Sequence, residues 1–453
     1  MVSSARPGYR ERLGSAAATA RDVLAASGAR RWEFFTKASA TREVEIVPEH
    51  EPREIEIDEV GVAVRTLRGR NAGFAAASGL EADAARRAID GAVANETPLP
   101  FDPLPPERLQ GTAEIEPAPA APVRGWAAHA TEQLVQGVAE ATGGALRLRR
   151  SVFHEGTFSW LLATSEGFLA SHDGTATSAL VEVQATDRRR GVWREWFHLP
   201  DPAAFDASAT ARRIADRALL TQGPLTDGSG LSRVILAPEV AAQVLAGLVP
   251  LLIVCRHDPD PLPALLDRNG CLGSPALTLV DDRLDPTAPI VGPCDGEGLP
   301  ARRIPLVEAG VPRHRLASYR DSVAFGESPR GGAVRISYRD YPASGVANLK
   351  LDTAHGRPPS ELLDDDGRML YLARPLTPIV IDAHRDVYRL VATGVWLDRR
   401  RVEGRQPVVE LRGSLAMLLR RIEAVGTDLT WFQTDAGFVG APSLLIHHQP
   451  VIG

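Results

Sequence analysis

Apolar positions recur along this chain with two periods. Over residues 9–27, Leu13, Ala16, Ala17, Ala20, Val23 and Leu24 fall at helical spacing. The next runs, RWEFFTKASATREVEIV and EIEIDEVGVAVRTLRG, alternate every second residue, the pattern of half-buried antiparallel strands. RGRN (68–71) predicts a hairpin turn into AGFAAAS, and a helix follows from Leu80 to Ala94, entered near Ser78 as N-cap. Residues 97–122 are dense in proline, which neither continues helices nor donates to a central strand, so an extended connector lying on the surface is expected. A helix over 126–141, a series of strands, and a helix over 208–221 come next. The Gly/Ser-rich TDGSG (226–230) marks a candidate domain boundary. Beyond it short strands and turns predominate, with helices predicted over 239–248, 359–363 and 413–422. The turn-rich segment 280–298 is expected to line a surface or a cleft. The pattern predicts an α+β protein: an N-terminal α/β domain (1–225) of antiparallel strands and helices, and a C-terminal, largely β domain (226–453).

Composition narrows the class of protein. An apolar fraction of 44% and a charged fraction of 24% are ordinary for a globular chain. The formal net charge of −6 argues against a nucleic-acid binder, which usually shows a basic face. The arginine clusters at 147–150, 187–191 and 398–405 are short and read as solvated turns. Three cysteines, Cys255, Cys271 and Cys294, show no CxxC spacing, which points to a reducing, cytoplasmic setting. The first residues lack the apolar core of a secretory signal, and no run approaches the roughly 18 apolar residues of a membrane helix.

Local motifs offer no self-sufficient active site. His154 and Glu155 in FHEGTFSW imitate the start of a zinc-protease helix, but a second histidine on the same face is missing and the segment reads as a strand. His447 and His448, on a regular strand, would point to opposite faces, badly placed to chelate one ion, though a distant ligand could join either. Cys255 and His257 are too close for the usual hydrolase arrangement, and no GxSxG, P-loop or dinucleotide fingerprint is present. The acidic clusters near 281, 295 and 364 lack EF-hand spacing.

Several segments, in order, resemble the TldD/PmbA family, also called modulator of DNA gyrase. They are GVAVRTLRGRNAGFAAASGLEADAARRAIDGAVA, TSEGFLASHDGTATSALVEVQA, VILAPEVAAQVL, LGSPALTLVDD with CDGEGLPARRIPLVEAGV, ANLKLDTAHGRPPSELL, and IEAVGTDLTWF with GAPSLLIHHQPVIG. The resemblance implies an N-terminal α/β domain, a largely β C-terminal domain, and a heterodimeric zinc metallopeptidase that cuts flexible peptides, including leader regions of peptide natural products. In that family one subunit carries an HExxxH helix and a downstream cysteine that hold the metal. The PmbA or TldE type of subunit lacks them.

Laid against the catalytic subunit, HExxxH falls on Ala246, Gly247, Leu248, Val249, Pro250 and Leu251, none of which can bind zinc or act as a base. The downstream cysteine is also missing from TDAGFVGAPS. The resemblance thus implies the non-catalytic subunit: no catalytic residue and no metal in this chain, with zinc in an HExxxH-bearing partner. The segments VCRHDPDPLPALLDRNG and IDAHRDVYRL depart from the family's usual pattern. Asn348, Asp295 and Glu297 are candidates for lining a peptide cleft; the plain alternative is that they stabilise turns. Two other readings stand beside this one. One is a homodimeric protein that binds a peptide without cleaving it, and the other is an unconventional metal site built from His154, His172 or His257. No nucleic-acid or membrane partner is expected.

Overall fold

The computed structural model describes residues 9–118, 120–186, 192–221, 223–254, 260–363, 367–399 and 401–452. In the N-terminal half the elements are α1 (Tyr9–Ala26), β1 (Arg31–Ile46), β2 (Arg53–Arg68), β3 (Asn71–Ser78), α2 (Ala82–Ala94), β4 (Thr97–Pro98), α3 (Trp126–Thr142), β5 (Leu146–Thr164), β6 (Leu169–Ala185), β7 (Val192–His198) and α4 (Ala207–Leu220). They build one antiparallel sheet in the order β4-β3-β2-β1-β5-β6-β7. Successive side chains of a strand point to opposite faces, and this decides what each face can do. Phe34, Val62, Val64 and Leu161 face α1 and α2 and bury Leu13, Leu24 and Ile89. Phe153, Val181 and Val183 face α3 and α4 and bury Leu134, Val138 and Ile214. All four helices therefore cover one face, and the opposite parity is left for the C-terminal half.

The predicted hairpin is present: Arg68 pairs with Asn71 across Gly69 and Arg70, and Gly69 takes a left-handed φ of 61°. Ser78 does not cap α2. It ends β3 and hydrogen-bonds Tyr338 at 2.8 Å, while the helix starts after Glu81, whose side chain caps nothing. For α4 the cap is Asp206, whose carboxylate accepts the Ala209 N–H at 2.8 Å.

The C-terminal half contains β8 (Gly230–Leu236), α5 (Pro238–Gly247), α6 (Val249–Leu252), α7 (Leu262–Leu265), β9 (Leu279–Asp282), β10 (Arg303–Glu308), β11 (Val311–Pro312), α8 (Tyr319–Phe325), β12 (Ala333–Val334), β13 (Ala343–Ser344), β14 (Asn348–Leu351), α9 (Pro359–Leu362), β15 (Arg368–Pro375), β16 (Val380–Asp382), β17 (Val387–Asp398), β18 (Arg401–Gly413), α10 (Leu415–Arg420), β19 (Ile422–Val425), β20 (Thr430–Thr434), β21 (Gly437–Ala441) and β22 (Leu444–Val451). One sheet runs β16-β17-β15-β8-β22-β19, with β18 paired to β17; a second runs β11-β10-β9-β14-β21-β20. Leu236, Leu372 and Leu411 of the first share a core with Leu279, Leu349 and Val439 of the second, and α5, α6 and α10 fill the space beside them. The architecture is α+β with a strand-rich C-terminal region. Among the described residues no helix is long and apolar enough to cross a membrane.

The proline-rich connector is fastened down. Gly111 N–H donates to Gly298 O at 3.0 Å and Ala113 N–H to Pro293 O at 2.8 Å. Arg31 donates to Asp102 and to the carbonyls of Leu104 and Pro105.

Glu239, in the first turn of α5, sits at the seam between the halves, where burial raises its carboxyl to about 7 against the pull of Arg374. Unfolding returns it to an ordinary value near 4.5. Between those values the folded chain binds the proton and the unfolded chain does not, so this group's contribution to stability falls as pH rises from 4.5 to 7. Glu239→Gln is expected to flatten that part of the profile and to raise stability at pH 8, as read from urea midpoints across a pH series.

A candidate peptide-holding cleft between the halves

The free face of the N-terminal sheet and the loops of the C-terminal half enclose a cavity of about 560 Å³. Strand alternation puts His154, Gly156, Phe158, Trp160 and Leu162 of β5 in one row on its floor, beside Phe35, Lys37 and Thr41 of β1 and Trp196 and His198 of β7. Its roof is the turn-rich segment read as a cleft liner, with Pro289, Ile290, Val291 and Asp295, joined by Arg335, Ile336 and Phe438. Gly174 is required here: the ring of Phe158 lies where a Cβ at that position would stand. His172 packs edge-on to Phe158, with ring centroids 5.8 Å apart.

Burial lowers the pKa of His172, and it takes that of His198 down to about 4. His154 is half-exposed and meets Glu43 at 3.0 Å. Glu155 turns to the other face and pairs with Arg42 at 3.2 Å, so the His–Glu pair of FHEGTFSW is split across the sheet. Burial pushes the Cys294 thiol well up, which leaves it protonated and unreactive.

Asp295, Asn348 and Glu297 occupy three different stations. Asp295 lines the cavity, but both its oxygens are engaged: Oδ1 accepts the N–H groups of Glu297 and Leu299, each at 2.9 Å, and Oδ2 accepts that of Ala333 at 3.1 Å. Asn348 lies behind the roof, fully buried. Its Oδ1 accepts Ile290 N–H at 3.0 Å, and its Nδ2 donates to Asp282 O at 2.8 Å and to Ile290 O at 2.6 Å. Glu297 lies deeper still. It accepts from Arg65 at 2.7 Å and from the Tyr319 N–H at 2.5 Å, and burial lifts its carboxyl to about 7 despite Arg65. Of the three, Asp295 and the Ile290 loop held by Asn348 touch the cavity space.

The positions laid against HExxxH form no continuous helix. α5 ends at Gly247, and α6 begins at Val249 with Pro250 in its first turn. Ala246 packs against the C-terminal core, and Leu251 is buried within it. A Cβ on Gly247 would collide with Ile379 and Ile381. This donor set does not fit a zinc ion. Among the described residues no three His, Cys, Asp or Glu side chains come together as a metal-holding group. Cys255 and His257 lie outside the described residues.

The expectation for His447 and His448 is corrected. A bulge between Ile446 and Gln449, with His448 at a left-handed φ of 49°, breaks the alternation. The two Nδ1 atoms meet at 2.7 Å instead of facing opposite ways.

Two family models match the chain: the PmbA/TldA metallopeptidase central domain over residues 127–222 and the C-terminal domain over residues 229–453. The chain belongs to the PmbA/TldD family. A comparison with curated proteins gives no match. The fold is similar to that of TldE from Thermococcus kodakarensis, with a TM-score of 0.83 at 15% identity, covering 96% of this chain and 100% of that one. It is also similar to a Thermotoga maritima protein described as a modulator of a DNA gyrase, with a TM-score of 0.78 at 16% identity, covering 97% and 100%. A Bacteroides thetaiotaomicron protein of the same description gives 0.76 at 15%, covering 97% and 98%. These likenesses carry the shared PmbA/TldD fold across the N-terminal segment that the family models leave unmatched.

Sequence reasoning missed the cavity floor. The signal was present in FSWLLAT, where apolar residues fill both parities of β5. A strand apolar on both faces is covered on both faces. Helices account for one face, so the other had to meet the C-terminal half.

Proposed function

We propose that this PmbA/TldD-family chain is the non-catalytic subunit of a heterodimeric zinc metallopeptidase and shapes the cleft that holds an extended, flexible peptide. The observation that carries the reading is the pairing of a preserved family fold with a broken, donor-free helix at 246–251. The likeness to a protein named TldE supports it. The aromatic cavity between the halves supports the peptide-holding role, being within the roughly 300–1,000 Å³ range of ligand sites. Zinc and the hydrolytic step then belong to an HExxxH-bearing partner. Substrates of this class include leader segments of peptide natural products.

The test is reconstitution. The purified chain alone is expected to leave a fluorogenic flexible peptide intact; co-purified with an HExxxH-bearing family member from the same organism, it is expected to give chelator-sensitive cleavage. Cleavage by the lone chain would overturn the reading. If the two chains form no complex, while the lone chain is dimeric and binds the peptide intact, the homodimeric binding protein takes its place.

A further inference from the structure

The charged groups around the cavity are unevenly engaged. Asp295 is the one carboxylate on its wall among the described residues, and three backbone N–H groups already use both its oxygens. The cations on the wall are Lys37, Arg283 and Arg335. Arg335 gives one nitrogen to Glu33 and lies over the Phe35 ring, and its buried Nε and Nη1 have no hydrogen-bond partner among the described residues. Lys37 donates to the Ile336 carbonyl and lies 5.6 Å over the Phe158 ring. Among the described residues it has no other hydrogen bond. The acids whose charge acts on it, Glu59 and Asp340, are held elsewhere: Glu59 by Arg339, and Asp340 by the Ile336 and Ser337 N–H groups. An ammonium has three donors, so Lys37 retains donors for a ligand.

Unused donors thus stand next to an aromatic floor of Phe158 and Trp160, with Ile336, 59% exposed, at the mouth. A complementary ligand has an apolar, preferably aromatic, body and one anionic end. We propose that the cavity receives the C-terminal residue of a peptide, its aromatic side chain lying on Phe158 and Trp160 and its free carboxylate taken by Lys37. This rests on the peptide-holding reading above and adds the end and the side-chain class that are selected. A charge-assisted hydrogen bond to a carboxylate is roughly twice as strong as a neutral one, so the free acid is distinguished from its amide. Aromatic pairing adds preference beyond the area buried.

Calorimetry on the full chain tests this with acetyl-alanyl-alanyl-phenylalanine as free acid and as C-terminal amide, the all-alanine acid, and 3-phenylpropionate. The phenylalanine acid is expected to bind about tenfold tighter than its amide and than the all-alanine acid, and tighter than phenylpropionate. Lys37→Met is expected to bring the acid to the level of the amide, the acid losing far more affinity than the amide; Lys37→Arg is expected to preserve the difference. Equal binding of acid and amide in the native chain overturns the proposal, yet a peptide that still binds keeps the peptide-holding reading intact. Phenylpropionate binding as tightly as the peptide acid overturns the peptide as the source of the anion. Loss of binding of acid and amide alike in a folded Lys37→Met chain also overturns the role given to Lys37. Partner-dependent cleavage is scored separately, so failure of the subunit reading leaves this result legible.

Discussion

Arg65→Met is expected to destabilise the protein by about 3–5 kcal/mol, the usual consequence of removing one member of a buried ion pair. Arg65 is 2% exposed and forks onto Glu33, with Nε to Oε1 at 3.1 Å and a second bond from Nη2 to Oε2. Its Nη1 reaches Glu297 at 2.7 Å. Arg335 closes the set by donating to Glu33 at 2.5 Å. Burial alone would raise the Glu33 carboxyl, but the two guanidiniums hold it below the usual carboxylate range. Among the described residues, without Arg65 Glu297 keeps only the Tyr319 N–H, and Glu33 keeps only Arg335. The four groups come from β1, β2, the 295–297 turn and the segment after β12, so the loss falls on the joint between the halves. Guanidinium-chloride unfolding followed by tryptophan fluorescence checks the figure. A change below 1 kcal/mol would show that the network contributes little beyond its own desolvation.

Asn348→Ala is the second large effect. The substitution leaves three backbone groups without their partner: the buried Asp282 carbonyl and the half-buried N–H and carbonyl of Ile290. Each unsatisfied group costs about 1–3 kcal/mol, and partial relaxation of the loop keeps the total near 2–4 kcal/mol. The loop released is the one that presents Pro289, Ile290 and Val291 to the cavity. Peptide affinity is therefore expected to fall together with stability, and Asn348→Asp, which keeps the acceptor but sets a buried carboxylate oxygen against the Asp282 and Ile290 carbonyls, is expected to lose at least as much of each. Thermal melts and the binding titration on the same preparations decide this. Full affinity in Asn348→Ala would separate Asn348 from the cleft.

Much of the fold is legible because short-range rules suffice for it. The helical spacing over 9–27 becomes α1, the period-two runs become β1 and β2, and RGRN becomes their neighbouring hairpin. Each depends on residues a few positions apart. FSWLLAT shows locally that β5 is covered on both faces, but the cleft itself depends on the parity of several strands together and on which half covers which face, and no local window contains that. Asn348 and Glu297 are a related case. Their residue types suggested polar liners, but both side chains are fully enclosed, and each meets its hydrogen-bonding groups within the protein, as most buried polar side chains do. The histidine pair was misjudged for a different reason: regular alternation was assumed where a one-residue bulge reverses it.

The place of β8 has a bearing on biosynthesis. Its two neighbours in the sheet are β15 and β22, both supplied by later parts of the chain. During translation the N-terminal sheet, with its own helices, has every strand in hand early, and nascent domains fold in that order. β8 then waits with both margins bare until residues 368–375 emerge, and with one margin bare until residues 444–451 follow, an open template of the kind that invites wrong pairing. Shielding by chaperones is most valuable to this protein in that interval.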